Sequence, residues 1–294
     1  MSFDALVSSI EKGMGARLRP RPAARVHGGS INECYRWDSS AGSIFVKIAP
    51  LDRRVMLEAE RAGLDELGRA GPLRVPKVLG SGVAGTNAWL ALEWIRFGPR
   101  TGAAEAALGE RLAMQHRQRA AAFGWDRDNT IGTTPQHNGW SRDWLEFFRD
   151  RRLRYQFELA RQNGCGAELH RRGERLLERL EDFFGAYRPI ASLLHGDLWG
   201  GNWGADDSGA PVVFDPAIYY GDRETDLAMT RLFGGFGADF YAAYSATWTP
   251  DPGARTRTAL YNLYHVLNHF NLFGGAYLVQ ARSIVDSLLS EVVG

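Results

Sequence analysis

Three polar side chains in the second half of the chain are spaced as a phosphoryl-transfer site would need them. The loop Leu194-His195-Gly196-Asp197-Leu198-Trp199-Gly200-Gly201-Asn202 is followed by the apolar run Val212-Val213-Phe214 and then by Asp215-Pro216. Asn202 lies five residues after Asp197, and Asp215 eighteen after it (202−197 and 215−197). Transfer of a phosphoryl group to an alcohol needs a carboxylate to take the hydroxyl proton. It also needs hard oxygen donors to hold Mg²⁺ against the phosphates of a nucleotide such as ATP. A His-x-Asp-x-x-x-x-Asn loop, with a second Asp closing a short strand, supplies these groups in that order. In isolation the same residues read as two Asp-containing turns and an Asn cap; the upstream partners separate the two readings.

The first partner is Lys47 in Phe45-Val46-Lys47, in the middle of an apolar strand-like run. An ammonium there is unfavourable unless it meets an anion. A kinase-type site offers two, the nucleotide phosphates and a carboxylate on the next helix. That helix carries Glu58, Glu60 and Glu66. Glu60 is the expected partner and Glu58 the fallback, since residues two apart on a helix point to different sides. Upstream, Gly28, Gly29 and Ser30 sit between two strand-like runs, where glycines would let backbone N–H groups approach phosphates. A plain hairpin turn explains them equally well.

Other patterns are decoys or supports. Gly80-Ser81-Gly82-Val83-Ala84-Gly85 spells G-x-G-x-x-G, but the strand-like Ala88 to Leu92 follows it rather than a helix, and it comes after Lys47. It therefore reads as a hairpin turn and not as a dinucleotide-binding loop. His265 and His269 share a helix face, but Val-Leu-Asn follows the first, and the aromatic neighbours suggest packed histidines. Trp144 to Gln156 reads as helix packing that could border an acceptor pocket. Asp226 is expected to accept backbone hydrogen bonds from the Asp197 loop.

The elements that must position these groups are readable in outline. Phe3, Leu6, Val7, Ile10 and Met14 recur at helical spacing. Ala24 to His27, Ile31 to Trp37 and Ser43 to Ala49 read as strands, Arg53 to Leu67 as a helix, and Arg74 to Leu79 and Ala88 to Ile95 as strands. After Phe97-Gly98-Pro99 the pattern becomes helical, notably at Trp144 to Arg161, Glu168 to Phe184 and Ala259 to Leu289, with strand-like sequence returning only around Val212 to Phe214. The chain has 294 residues, with 35 Lys+Arg against 34 Asp+Glu, 45% hydrophobic and 12% aromatic residues. A balance this even argues against a nucleic-acid partner, and the composition is that of a folded protein. Two cysteines, Cys34 and Cys165, exclude a disulfide framework and a four-thiolate zinc site and fit a reducing compartment. No apolar run reaches membrane-spanning length, and Met1 to Val7 lacks the pattern of a signal peptide. A cytoplasmic protein is expected.

The His195-Gly196-Asp197-Leu198-Trp199-x-Gly201-Asn202 loop resembles that of the fructosamine/ketosamine-3-kinase family, a branch of the protein-kinase-like aminoglycoside and choline kinase superfamily. So do Asp215-Pro216-Ala217 with Tyr220-Gly221, Leu232-Phe233-Gly234-Gly235-Phe236, and Trp144-x-x-Phe147-Phe148. The likeness runs from Gly28-Gly29 to the helix of Tyr261 to Asn271. It implies an ATP- and Mg²⁺-dependent kinase acting on the 3-hydroxyl of a ketosamine, free or protein-bound, in protein deglycation. By the same resemblance Asp197 is the catalytic base, Asn202 and Asp215 are metal ligands, and Lys47 with Glu60 is the phosphate-clamping pair. Trp199 walls the sugar pocket with His195 close by, and Glu93, Trp94 and Ile95 form the hinge that meets adenine. Ser30 occupies the place of a cysteine that links two subunits in some members.

The expected fold is α+β and bilobal, with an N-terminal antiparallel sheet lobe over residues 1–96 and a larger helical lobe over 97–294, as a monomer or homodimer. Two rivals stand beside it. One is a kinase of the same superfamily acting on an aminoglycoside, choline or another hydroxylated amine. The other is a nucleotide-binding pseudokinase scaffold, against which the intact Lys47, Asp197, Asn202 and Asp215 argue.

Overall fold

The computed structural model describes residues 3–26 and 32–293. Helix α1 (Phe3–Met14) is followed by strands β1 (Ala24–Val26), β2 (Glu33–Ser39) and β3 (Gly42–Pro50), helix α2 (Arg54–Ala70), and strands β4 (Val78–Ala84) and β5 (Asn87–Glu93). The strands make one antiparallel sheet in the order β1-β2-β3-β5-β4. Strand alternation sorts its faces. Ile44, Val46 and Ile48 of β3 and Trp89 and Ala91 of β5 pack with Leu6 and Ile10 of α1. The residues between them, Ala49, Ala88, Leu90 and Leu92, pack with Leu57 and Leu64 of α2. Lys47 falls in this second set, paired in register with Leu90. Alternation alone therefore aims its side chain at α2.

The Gly80 to Gly85 segment departs from the expected hairpin turn. β4 runs through Gly80 and Gly82, and the chain reverses only at Gly85 (φ 59°). The reason is Trp89, whose indole lies across the strand; a Cβ on Gly82 would stand 2.9 Å from it, and one on Gly13 of α1 only 2.5 Å. The glycines here admit a large ring between helix and sheet and do not cradle a phosphate. Trp89 Nε1 closes the contact by donating to Ser9 Oγ at 2.9 Å.

The rest of the chain is mainly helical. It runs through β6 (Phe97–Gly98), α3 (Gly102–Gln115), the hairpin β7 (Asn129–Ile131) and β8 (Thr134–Gln136), and α4 (Trp144–Phe148). A π-helical segment, Arg149–Arg154, leads into α5 (Tyr155–Gln162) and then α6 (Ala167–Glu178). There follow β9 (Ser192–Leu193), β10 (Trp203–Asp206), β11 (Pro211–Val213), β12 (Tyr220–Gly221), α7 (Glu224–Leu232), α8 (Ala238–Thr247), α9 (Ala254–Phe273) and α10 (Ala276–Val293). Thr101 caps α3, accepting from Ala104 N at 3.2 Å, and Asp143 caps α4. The expected single stretch Ala259 to Leu289 is two helices, because Gly274 and Gly275 at φ 65° and 62° break it. The Glu168 to Phe184 stretch likewise ends its α-helix at Glu178 and continues as a 3₁₀ turn. An aromatic core joins α4, α9 and the β9 strand through Trp144, Phe147, Phe148, Tyr261 and Leu193. Trp144 Nε1 donates to Tyr261 Oη at 3.0 Å.

His265 and His269 are packed residues, as the sequence suggests. The ring of His265 is buried, its Nδ1 has no hydrogen-bond partner, and burial pushes its pKa down to about 3. It is thus neutral in the fold, whereas in the unfolded chain it binds a proton below about pH 6.5. Its contribution is fully present above pH 6.5 and is lost as the pH falls from there towards 3. Between pH 7 and 5 this group alone should remove about 2 kcal/mol. Denaturant midpoints of the wild type and His265→Leu at the two pH values should show the variant losing less stability; equal losses would refute the assignment.

Candidate active site

Lys47 meets two carboxylates from opposite parts of the chain. Its Nζ lies 2.7 Å from Glu60 Oε1 and pairs with Asp215 Oδ1, 168 positions away in sequence. Lys47 is 6% exposed, so the ammonium is enclosed by its partners and not by water. Glu58, the fallback, lies on the outer side of α2 and pairs with Arg54 at 2.6 Å. One ammonium thus serves two carboxylates. Burial alone would lower the Lys47 pKa, but Asp215 and Glu60 outweigh it and hold the group charged. Asp215 is held below the usual carboxylate range by Lys47, against the upward push of burial. The cost of the surplus negative charge falls on Glu60, which burial and the Asp215 charge push up to about 7 against the pull of Lys47.

The loop that carries Asp197 is fixed from beneath. Asp226, on α7, accepts from His195 N at 2.7 Å and Gly196 N at 2.8 Å. His116, at the end of α3, places Nε2 3.1 Å from Asp226 Oδ2 and Nδ1 2.8 Å from Tyr244 Oη. Burial would raise the Asp226 pKa, but the His116 contact and its charge keep it low, so its two oxygens remain acceptors. Gly196 must be glycine twice over: its φ is 81°, and a Cβ would stand 2.0 Å from Ala217 O.

His195 is not where the sequence places it. Its ring is fully buried; Nε2 donates to Phe214 O at 3.1 Å and Nδ1 accepts from Asp197 N at 3.3 Å. Burial lowers its pKa and keeps it neutral, with Asp226 opposing. Both nitrogens are committed to backbone, so His195 joins the Asp197 and Asp215 segments and does not line a sugar pocket.

Asp197, Asn202 and Asp215 converge. Asn202 Nδ2 donates to Asp197 O at 2.8 Å and Asp197 Oδ2 at 3.1 Å, and lies 3.5 Å from Asp215 O. Asp215 is the one non-glycine among the described residues with positive φ, at 55°, a strained conformation of the kind that concentrates at functional sites. Burial and the Asp215 charge push the Asp197 carboxyl up to about 7, with the Asn202 hydrogen bond opposing. A carboxylate poised there suits a general base near neutral pH.

The donor set fits a magnesium–nucleotide complex. Asp215 keeps 46% of its side chain exposed beside the buried Lys47, and the Asn202 amide nitrogen is spent on Asp197, leaving its oxygen for a cation. Among the described residues no cluster of three His, Cys, Asp or Glu forms a complete protein cage. A cation bound here would take one carboxylate and one amide oxygen from the chain and its remaining ligands from the phosphates and water.

Of the remaining expected residues, Trp199 is 39% exposed with its indole over Gly201, where a Cβ would lie 2.2 Å from the ring. Glu93 turns its carboxylate to Arg74 at 2.8 Å and Lys77 N at 3.2 Å, Trp94 stands 6.5 Å from Phe45, and Ile95 is buried. Gly28, Gly29 and Ser30 lie outside the described residues. Sequence reasoning missed His116 and the amides of the β7–β8 hairpin. Asn129 Nδ2 donates to Ile218 O at 2.8 Å and Gln136 Nε2 to Ala217 O at 3.0 Å, clamping the backbone just after Asp215. It missed Arg74 too, which ties Glu93 to Asp206 of β10 across the two lobes. Single polar residues at the ends of elements or in short hairpins gave no signal for any of these.

A family model described as fructosamine kinase matches residues 2–291. The chain belongs to the fructosamine kinase family. It is 39% identical over 288 residues to a Synechocystis protein named as a probable ketoamine kinase, covering 98% of this chain and 97% of that one. It is 40% identical over 267 residues to the chloroplastic protein-ribulosamine 3-kinase of Arabidopsis thaliana, covering 90% of this chain and 81% of the relative. A crystal structure assigned as a fructosamine-3-kinase from Thermobifida fusca superposes with a TM-score of 0.87 at 31% identity, over 97% of this chain and 98% of that one. The bilobal α+β fold expected from the sequence is thus the family's fold.

Proposed function

We propose that this member of the fructosamine kinase family transfers the γ-phosphoryl group of ATP to the 3-hydroxyl of a ketosamine, as a step in protein deglycation. The observation that carries the reading is the ion pair joining Lys47 to Asp215, beside Asp197 and Asn202. It assembles a phosphate clamp, a base and oxygen donors at one point. Bound Mg²⁺ would neutralise phosphate charge as it develops in the transition state. Asp215 and Asn202 would hold it, and Lys47, kept charged by Glu60, would contact the phosphates. Asp197 would orient the acceptor hydroxyl and take its proton, while the Asp226–His116 pair fixes the loop so that the base is aimed before substrate arrives. The glycines at 28 and 29 with Ser30 would cover the phosphates, and the backbone of residues 93–95 would meet the adenine, at a boundary between lobes 1–96 and 97–294. No described helix is long and apolar enough to cross a membrane. Cys34 and Cys165 are free and buried, which suits work in the cytoplasm.

ATP consumption with a ketosamine and, in parallel, with an aminoglycoside and choline tests the reading. Turnover of the ketosamine alone is the expected result, and preference for either other acceptor, or none, would overturn it. Below about pH 7 the acceptor kcat/KM should fall as Asp197 takes up a proton. A profile flat from pH 8 to 5.5 would remove Asp197 as the base.

A further inference from the structure

Outside the site, one surface feature is continuous with it. From Trp199 a series of aromatic rings runs outward across the ends of α7, α9 and α10. Trp199 meets Phe233 edge-on at 6.3 Å, Phe233 meets His269 at 4.8 Å, and His269 meets Phe273 at 5.8 Å and Tyr277 at 5.1 Å. Such series usually lie in cores. Here Trp199 is 39% exposed, Phe233 40% and Phe273 60%. Contiguous exposed apolar surface on a folded protein marks an interaction site.

The proposed acceptor fixes what would lie on it. In a protein-bound ketosamine the sugar hangs from a lysine Nζ, and four methylenes separate that nitrogen from the carrier backbone, roughly 6 Å when extended at ordinary bond lengths. With the sugar between Asp197 and Trp199, the methylenes leave the site along the first ring beyond Trp199, and the backbone with its neighbouring side chains follows. A stripe of rings suits methylenes and uncharged side chains; a small free amine would stop short of it.

We infer that the Phe233–Phe273–Tyr277 stripe is a docking surface for the polypeptide that carries the modified lysine. This inference rests on the ketosamine reading above. It makes the outer stripe a determinant of carrier affinity with no part in the chemistry. Phe273 is a suitable probe because it is 60% exposed and its ring contact is with His269, and Val279, two residues beyond Tyr277 and so on another side of α10, is an exposed apolar control.

The experiment compares two acceptors bearing the same ketosugar, one on free lysine and one on a lysine within a peptide of about ten residues flanked by apolar side chains, with wild type, Phe273→Ser and Val279→Ser. The expected result is a KM for the glycated peptide about five- to tenfold higher in Phe273→Ser, the scale of one lost apolar anchor, with kcat, the ATP KM and the free-lysine kinetics unchanged. Val279→Ser should leave the peptide KM unchanged. Equal effects on both acceptors, or none on the peptide, would overturn the inference while leaving the ketosamine reading intact. Failure to phosphorylate either acceptor would instead remove the reading beneath it. Sedimentation of the same proteins closes the remaining route: a wild-type dimer that Phe273→Ser converts to a monomer, without change in peptide KM, would assign the stripe to self-association and overturn carrier docking.

Discussion

Asp197→Asn should lower kcat by about 10²–10⁴-fold while leaving nucleotide binding close to wild type. Asn keeps the shape of the side chain and can still face the Asn202 amide, which now lies 3.1 Å from Asp197 Oδ2, but it cannot accept the acceptor's proton. The loop itself should not move. Its two buried backbone N–H groups are held by Asp226, and the peptide N–H of residue 197 by His195 Nδ1, and none of these contacts involves the Asp197 carboxylate. Removing a half-buried carboxylate drawn up to about 7 by desolvation and by Asp215 also relieves like-charge repulsion. The variant should therefore be at least as stable as the wild type above pH 7. Single-turnover kinetics, a nucleotide titration and a thermal melt test the three parts. Near-normal turnover would show that another group takes the proton, and lost nucleotide affinity would show that Asp197 shapes the phosphate site.

The parts legible in the sequence were those whose physics is local. A lysine in the apolar β3 run needs an anion, and alternation points it at α2; the two-residue offset of Glu58 and Glu60 then leaves one of them facing it, and Glu60 does. The loop of Asp197 and Asn202 and the Asp that follows an apolar run were equally plain, since residue type and spacing carry the chemistry. What stayed hidden depends on contacts between distant segments. His195 looks like a site histidine in sequence, yet its burial against Phe214 O is set by the fold of both loops. His116 sits at a helix end with no pattern around it and matters only because α7 brings Asp226 to it. The strands at β6, β7, β8, β9 and β12 are two or three residues long, too short for alternation to show. Gly80 and Gly82 misled in the opposite direction, because a glycine that admits the Trp89 ring and one that turns a hairpin are the same letter.

Lys47→Met tests the other half of the site, and its effects on activity and on stability should separate with pH. Methionine matches the length of the stem and keeps the packing against the α2 face of the sheet, but it removes the cation shared by Glu60 and Asp215. Turnover should fall by about 10²-fold or more, because a preorganised charge on the transferring phosphoryl group is lost. The stability effect is smaller than for a fully enclosed triad. Asp215 is 46% exposed, so water takes over much of its solvation, whereas Glu60 at 12% has little recourse to water. Burial and the facing Asp215 charge already hold Glu60 at about 7, and without Lys47 nothing opposes them, so its folded pKa rises further. An acid whose pKa is higher folded than unfolded stabilises the fold when protonated, so the variant should recover stability as the pH is lowered through 7 towards 5. The ion-paired wild type gains less there. Denaturation of both proteins at pH 8, 7 and 6 should show the gap narrowing as the pH falls, and Glu60→Gln added to Lys47→Met should abolish that narrowing. A gap independent of pH would mean that Glu60 is already uncharged beside Lys47. The clamp would then be Lys47 with Asp215 alone, and Glu60 would serve only to position the ammonium by a neutral hydrogen bond.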